Sequence, residues 1–332
     1  MHRLPQHQVI RVFEGFAGYG GATFGLRRSG VNHHVVAYSE VDPDAIELYH
    51  YNFPHVQNLG DITKLDPNAS DFPDFDLFTG GFPCQPFSTV GKRQGVEDDR
   101  GRGTLFGDII RICEVKHPQY ILLENVKGLK TGKMKATFET ILDELHRIGY
   151  DTRYAVLNSK DYGIPQTRER LWIFGYRGSL PEDFDLVPPV EPLQGYLSDF
   201  LDVHPTSDLY KSQKQIDRIH EIHHNDIFDV SEPLCYDIYN RKIRTDRLCM
   251  TVTPPEHNVI RIIEPMVDGK ERFRKLSLDE HFRLMGFKIN EEEREIRFPD
   301  TLNYTKLGRR AGNGWDVNLV GILFNHIFWQ LL

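Results

Sequence analysis

Residues 9–30 read VIRVFEGFAGYGGATFGLRRSG, and the expected fold follows from how this stretch is built. Val9–Phe13 is a short apolar run of strand character. It breaks into FAGYGG (Phe16–Gly21), and a helix-like stretch follows to about Gly30. Gly18, Gly20 and Gly21 let a strand turn sharply into a helix while a ligand approaches the backbone; a plain tight turn fits equally well. The dinucleotide fingerprint GxGxxG is not met, because its last position is Thr23. Strand-like and helix-like segments go on alternating. His34–Glu40, Phe75–Thr79 and Tyr120–Leu123 read as strands. Leu105–Val115 and Ala136–Tyr150 read as helices, the last ending at Gly149. Such alternation predicts an α/β protein with a doubly wound, mostly parallel, Rossmann-like sheet.

The pattern stops near residue 180. SLPEDFDLVPPVEPLQG (179–195) is rich in proline and acid and suits an irregular connector. From there to about residue 275 no regular alternation is found. The strand-like pieces Leu234–Tyr239, Leu248–Thr253 and Val259–Ile263 predict a second, smaller domain. The tail Trp315–Leu332 is apolar at helical spacing and is expected to pack back on the first domain.

At 332 residues the chain has room for one large domain and a smaller one. No apolar run approaches the ~20 residues of a membrane span, and the first residues lack an apolar signal segment, so no membrane role and a cytoplasmic or nuclear setting are expected. A formal net charge of −8 rules out a uniformly basic surface but leaves room for a basic cleft. Four cysteines without a CxxC pair predict reduced thiols. Cys113, Cys235 and Cys249 are expected to be small buried hydrophobes.

Candidate chemistry sits at the predicted strand ends. Glu40 closes the second strand, where such sheets place an acid for ribose hydroxyls; a solvated carboxylate is the alternative. Asp61, in GDI, suits an adenine amino group or a turn cap. GGFPCQPFS (80–88) carries Cys84 on a loop past a strand, with Pro83 and Pro86 limiting its swing, which suits a nucleophile. YILLENV (120–126) ends in Glu124 and Asn125. In a parallel sheet this strand end lies beside that of the preceding strand, so Glu124 can serve as the acid that protonates the electrophile; a helix-capping or solvated carboxylate is the alternative. In QTRERLWIFG (166–175) period-two alternation puts Gln166, Arg168 and Arg170 on one face as a carbonyl or phosphate clamp; an edge strand with solvated charges is the alternative. His220, His223 and His224 have metal-ligand spacing, but no cysteine or acid completes a familiar site, so a solvated face is expected and no metal. Positions 241–288 carry eleven Lys or Arg against seven Asp or Glu, which suits either phosphate contacts or a solvated surface.

Taken in order, these segments resemble the DNA (cytosine-5)-methyltransferase family of bacterial or phage restriction–modification type. FAGYGG is similar to its first motif, GGFPCQPFS to its nucleophile motif, ENV to its acid motif and QTRER to its QxRxR motif. RKLSLDEHFRLMGF (274–287) is similar to the motif that braces its recognition domain, and AGNG (311–314) to its final cofactor motif. The chain departs from the family's usual GNS or GNA, because Trp315 follows Gly314. The resemblance covers nearly the whole chain except about 185–273, where the family keeps its variable target-recognition domain.

The resemblance implies a Rossmann-like methyltransferase domain over 1–185, completed by 305–332, and a target-recognition domain with hinge over 186–304. It implies S-adenosylmethionine as methyl donor, with S-adenosylhomocysteine as product. The cofactor would be held by Phe16, Ala17, Gly18, Gly20, Gly21, Glu40, Val41, Asp61, Ile62, Pro83, Leu105, Asn313, Gly314 and Trp315. Cys84 would add to C6 of a flipped-out cytosine, Glu124 would hydrogen-bond N3, Arg170 would hold O2, and Arg168 would support the loop or a phosphate. Gln85, Ser88, Lys92, Arg93, Asn125, Arg241 and Thr251 would contact the DNA, with 85–103 as a lid. The implied partner is double-stranded DNA, handled by a cytoplasmic monomer whose cognate restriction endonuclease acts separately. A tRNA cytosine methylase of the same fold, an NAD-dependent oxidoreductase and a non-catalytic DNA-binding relative are the competing readings.

Overall fold

The computed structural model describes residues 8–83, 105–193, 195–222, 230–254 and 260–332. Cys84, Gln85, Ser88, Lys92 and Arg93, with the rest of the expected lid, lie outside the described residues, as do His223, His224 and Val259. The chain divides into two compact units. One comprises Met1–Leu157, Glu169–Pro189 and Leu319–Leu332; the other comprises Asn158–Arg168 and Val190–Asn318.

The first unit begins with β1 (Ile10–Gly15), α1 (Gly21–Ser29), β2 (His33–Ser39) and α2 (Pro43–Asn52). It continues through β3 (Leu77–Gly81), α3 (Leu105–Lys116), β4 (Tyr120–Val126), α4 (Lys135–Arg147) and β5 (Tyr150–Asn158). A two-residue strand of the other unit, β6 (Gln166–Thr167), precedes β7 (Glu169–Arg177). The sheet order is β2-β1-β3-β4-β7-β5. β1 runs parallel to β2 and β3, β3 runs parallel to β4, and β7 is antiparallel to β4. The apolar strand residues Phe13, Phe78, Ile121, Leu123 and Ile173 are buried with Ile109 and Ile112 of α3 and Phe138, Ile141 and Leu145 of α4. The spacing of the α4 residues is that of one helical face.

In the second unit, α5 (Gln213–Ile222) covers an antiparallel sheet of order β12-β11-β8-β9. Its strands are β8 (Leu234–Asp237), β9 (Lys242–Arg244), β11 (Ile260–Val267) and β12 (Lys270–Arg274). Ile216 and Ile219 of α5 pack with Tyr236, Ile263 and Phe273. A further short strand, β10 (Cys249–Met250), runs parallel to β6. α6 (Leu278–Leu284) and α7 (Tyr304–Asn313) follow. Ser277 and Glu280 form a capping box that starts α6. Arg274, wholly buried, donates to both Glu264 and Glu280, so its charge is neutralised inside the unit. The closing helix, α8 (Val317–Leu331), returns most of its length to the first unit. There Asn325 Nδ2 donates to Ser29 O at 2.9 Å, and a Cβ on Gly25 would lie 2.3 Å from Val320 Cγ1, so α1 and α8 meet closely where glycine leaves room.

Several local expectations are corrected. The helix expected over Ala136–Tyr150 stops at Arg147: Gly149 turns the chain at φ +95°, and Tyr150 opens β5 with its hydroxyl donating to Pro118 O at 2.6 Å. The strand expected over Leu248–Thr253 is only Cys249–Met250. The QTRER alternation does not run as one strand. It breaks at Arg168, so β6 joins the second unit and β7 the first. Nor is β7 an edge strand, since it lies between β4 and β5 and its Leu171–Phe174 run is buried.

Candidate active site

The glycine turn is held from below by an acid that the motifs did not single out. Glu14, near the end of β1, is 3% exposed. It accepts from Ala22 N at 3.1 Å, Thr23 Oγ1 at 2.6 Å and Tyr49 OH at 3.2 Å, tying β1 to the first turn of α1 and to α2. Burial pushes its carboxyl up to about 7, although the three donors pull the other way. Tyr49 in turn stacks on Tyr38, ring centroids 3.8 Å apart. The only signal in the sequence is an acid inside an apolar strand directly ahead of the glycines.

Above this acid the backbone takes left-handed conformations at Phe16 (φ 53°), Gly18 (φ 58°) and Gly20 (φ 91°). A Cβ on Gly20 would meet the Phe53 ring at 2.8 Å, whereas one on Gly18 would meet nothing within 4 Å. Gly20 is therefore required by packing, and Gly18 leaves open space at the strand end. Ala17 N bonds Ser39 O at 3.2 Å, and Gly21 begins α1. Glu40 faces this turn. One carboxylate oxygen accepts from Gly18 N at 2.9 Å, and the other from Val41 N and Asp42 N at 2.8 and 2.9 Å. Val41 itself is exposed. Asp61 is a cap: its Oδ1 accepts from Thr63 N and Thr63 Oγ1 at 3.0 and 2.8 Å, bonds that lower its carboxyl below the ordinary range, while Ile62 beside it is buried. Glu40, Val41, Asp61 and Ile62 thus lie at or beyond the end of β2, one strand from the glycine turn.

The second cluster forms where β3, β4 and β7 meet. Gly81 pairs in register with Glu124, and Val126 with Arg170. This brings Glu124 Oε1 within 3.0 Å of Arg170 Nε, both side chains partly shielded at 12% and 18% exposure. Asn125, 3% exposed, points the other way: its Nδ2 donates to Phe82 O at 3.0 Å, and its Oδ1 accepts from Val126 N at 2.8 Å. Strand alternation puts the acid on one face and the amide on the other. Asn125 therefore holds the backbone leaving β3 rather than offering its amide outward. Pro83 follows as an exposed residue, and Leu105 reopens the described chain as the half-buried first residue of α3.

Arg168 and Arg170 belong to different units, and each is engaged within its own. Arg168, 2% exposed, donates to the carbonyl oxygens of Val252 (3.0 Å), Gly312 (3.2 Å) and Gly314 (2.7 Å). Gln166 donates to Leu284 O and accepts from Val252 N at 2.7 Å, and Thr251 Oγ1 donates to Thr167 O at 2.7 Å. These bonds lace the QTR segment to the irregular stretch after β10 and to the end of α7. Gly312 has no room for a side chain, since its Cβ would lie 2.2 Å from Pro254 N. Asn313 is exposed there and Trp315 buried.

The basic surplus of 241–288 is largely consumed within the second unit: Arg244, Arg247, Arg272, Arg274, Arg283 and Lys288 all form ion pairs. Arg241 is exposed, at φ 54° in the turn between β8 and β9. His220 pairs with Glu271, and among the described residues no group of three His, Cys, Asp or Glu is placed to hold a metal ion. Among them, too, no helix is long and apolar enough to cross a membrane.

The family model for C-5 cytosine-specific DNA methylases matches residues 10–329. Type II methyltransferase M.NgoBI of Neisseria gonorrhoeae is 40% identical over 62% of this chain and 63% of its own. M.BsuFI of Bacillus subtilis is 34% identical over 92% of this chain and 69% of its own. M.Bsp6I of Bacillus sp. (strain RFL6) is 31% identical over 98% of this chain and 100% of its own. Other curated relatives are longer: the match spans 44% of M1.ScrFI of Lactococcus lactis and 45% of M.NlaIV of Neisseria lactamica. Among solved structures, Spodoptera frugiperda DNMT2 superposes with a TM-score of 0.74 at 18% identity, covering 96% of this chain and 99% of that one. A putative DNA modification methyltransferase encoded within an Escherichia coli prophage gives 0.64 at 20% identity, over 97% and 99%. Both likenesses concern the fold. With the family model spanning nearly every residue from β1 to α8, the chain belongs to the C-5 cytosine-specific DNA methylase family.

Proposed function

We propose that the protein transfers a methyl group from S-adenosylmethionine to C5 of a cytosine flipped out of duplex DNA. The observation that carries this reading is the register of β3 against β4: Gly81 lies opposite Glu124, with Cys84 three residues further along the chain and Arg170 paired to the acid.

The glycine turn suits the cofactor. Gly18 leaves open space at the end of β1, backbone groups approach it without side chains, and Glu40 presents a carboxylate beside it. Phe16, Ala17, Gly20, Gly21, Val41, Asp61, Ile62, Pro83 and Leu105 complete the proposed cofactor set of the first unit. Asn313, Gly314 and Trp315 are proposed cofactor residues on the family resemblance alone. Bound there, the cofactor supplies an electrophilic methyl on a sulfonium.

The protein's task is to make cytosine C5 nucleophilic. The Cys84 thiolate adds to C6, and the C5–C6 π pair shifts toward C5. Glu124 holds the proton at N3 and Arg170 faces O2, so charge that builds on the ring is neutralised. Once C5 carries the methyl, a base removes the C5 proton, that electron pair restores the double bond, and the C6–S bond breaks to release Cys84. C6 is shielded inside a duplex, so the base leaves the stack at a cost of a few kcal/mol.

Gln85, Ser88, Lys92, Arg93, Arg241 and Thr251 are proposed contacts to the DNA. Asn125 and Arg168 act by positioning, Asn125 through the Phe82 carbonyl and Arg168 through the carbonyls it gathers. The segment 186–304 is the proposed target-recognition region. The protein is read as a monomer acting on double-stranded DNA in a bacterial cytoplasm, with any cognate restriction endonuclease acting separately. The type II methyltransferase relatives favour DNA over tRNA as acceptor. Methyl transfer from labelled S-adenosylmethionine tests this. Label in duplex DNA as 5-methylcytosine is expected; label in tRNA alone, or in neither, would refute it.

A further inference from the structure

Two cysteines outside the proposed chemistry lie against each other. Cys235 on β8 and Cys249 on β10 are both fully buried, with their Sγ atoms 3.8 Å apart. Cys235 is paired across the sheet with Ile262 of β11 and Arg244 of β9. Cys249 belongs to the two-stranded β6–β10 ribbon, paired with Gln166, its N–H donating to Pro165 O at 2.7 Å. The sulfurs therefore span the four-stranded sheet and the ribbon that carries the QTR segment. Arg244 is the neighbouring cation: it lies opposite Cys235 across β8 and β9 and donates to Thr167 Oγ1 at 3.0 Å.

We propose that Cys235 and Cys249 form a reversible thiol-oxidation site, closing to a disulfide when the protein meets a small disulfide or an azo oxidant. Two S–H bonds break and one S–S bond forms, releasing two protons and two electrons. With a small disulfide, one cysteine thiolate attacks and expels a thiolate. The second cysteine then displaces the other, so the reagent leaves as two thiols. With an azo compound, the N=N bond takes up both electrons and both protons to become a hydrazine. The sulfurs close from 3.8 Å to about 2.05 Å, a movement shared between two side chains.

Contact with Cys235 and burial hold the Cys249 thiol well above its ordinary range, so Cys249 rests as the thiol and is slow to react. Reaction requires local opening of β10, which is only two residues long. Both cysteines are free in the structure, so such a pair responds to oxidant rather than carrying a standing disulfide. The bond would fasten β10 to β8, and with β10 the acceptor Val252 O of Arg168. This inference does not depend on the reaction proposed above.

The test uses the reduced full-length chain treated with diamide or with oxidised glutathione. Free thiols are then alkylated under denaturing conditions and peptides are mapped by mass. The expected product is a Cys235–Cys249 link, a loss of about 2 Da before alkylation, and recovery of both thiols with dithiothreitol. A Cys84→Ala variant should form the same link, which separates this site from the proposed nucleophile. A Cys249→Ala variant should leave Cys235 open to alkylation. If Cys235 and Cys249 are both alkylated after oxidation, if either links instead to Cys84 or Cys113, or if either keeps a glutathione adduct, the proposal is overturned.

Discussion

Replacing Glu14 with glutamine isolates the one buried carboxyl beneath the glycine turn. In the unfolded chain this group ionises near 4.5, and in the folded protein near 7, because burial outweighs the three hydrogen bonds it accepts. Between those values the folded state binds more protons than the unfolded state. The stability this group contributes is therefore full below pH 4.5 and is lost as pH rises through 7. At about 1.4 kcal/mol per pH unit the gap amounts to about 3 kcal/mol. Glutamine can keep the geometry: its oxygen replaces Oε1 opposite Ala22 N, and its amide replaces Oε2 opposite the Thr23 and Tyr49 hydroxyls, which rotate to accept. Being always neutral, it removes the pH-dependent term. Urea unfolding of Glu14→Gln and wild type from pH 5 to pH 8 should show the variant gaining about 2–3 kcal/mol on the wild type across that range. A difference that stays constant with pH would refute the reasoning, whatever its size.

Three further outcomes follow from the same geometry. Asn125→Ala removes the donor to Phe82 O and should cost about 1–3 kcal/mol of stability. It should lower kcat more than it raises KM for the cofactor, which steady-state kinetics with labelled donor would show. Gly20→Ala meets the Phe53 ring and a left-handed backbone together, so cofactor affinity measured by calorimetry should fall at least tenfold while the far-ultraviolet circular dichroism is kept. Arg168→Lys cannot serve three carbonyls with guanidinium geometry and should lower the thermal midpoint by several degrees, about 2 kcal/mol of lost stability, read by calorimetry.

Much of the sheet was legible because its strands are short apolar runs ended by glycine or acid. β1, β3 and β4 lie where Val9–Phe13, Phe75–Thr79 and Tyr120–Leu123 point, with ends shifted by up to three residues. β5 was hidden because its residues Tyr150–Asn158 mix polar and apolar side chains and leave both faces half-exposed. Period two also misleads around QTRER. Gln166 and Arg168 are buried by tertiary hydrogen bonds rather than by alternation, and the chain changes unit at Arg168, a break that residue type alone does not announce. At the site, the positions of Glu124 and Arg170 could be anticipated from strand ends. The inward turn of Asn125 and the support from Glu14 depend on partners 43 and up to 35 residues away.

The most direct measurement concerns the sulfur of Cys84. A duplex carrying 5-fluorocytosine at the methylated position, incubated with the protein and S-adenosylmethionine, should yield a covalent complex that survives denaturation. Peptide mapping should place it at Cys84, because fluorine cannot leave C5 as a proton does. An active protein that forms no adduct, or a Cys84→Ala variant that methylates at the wild-type rate, would contradict the account.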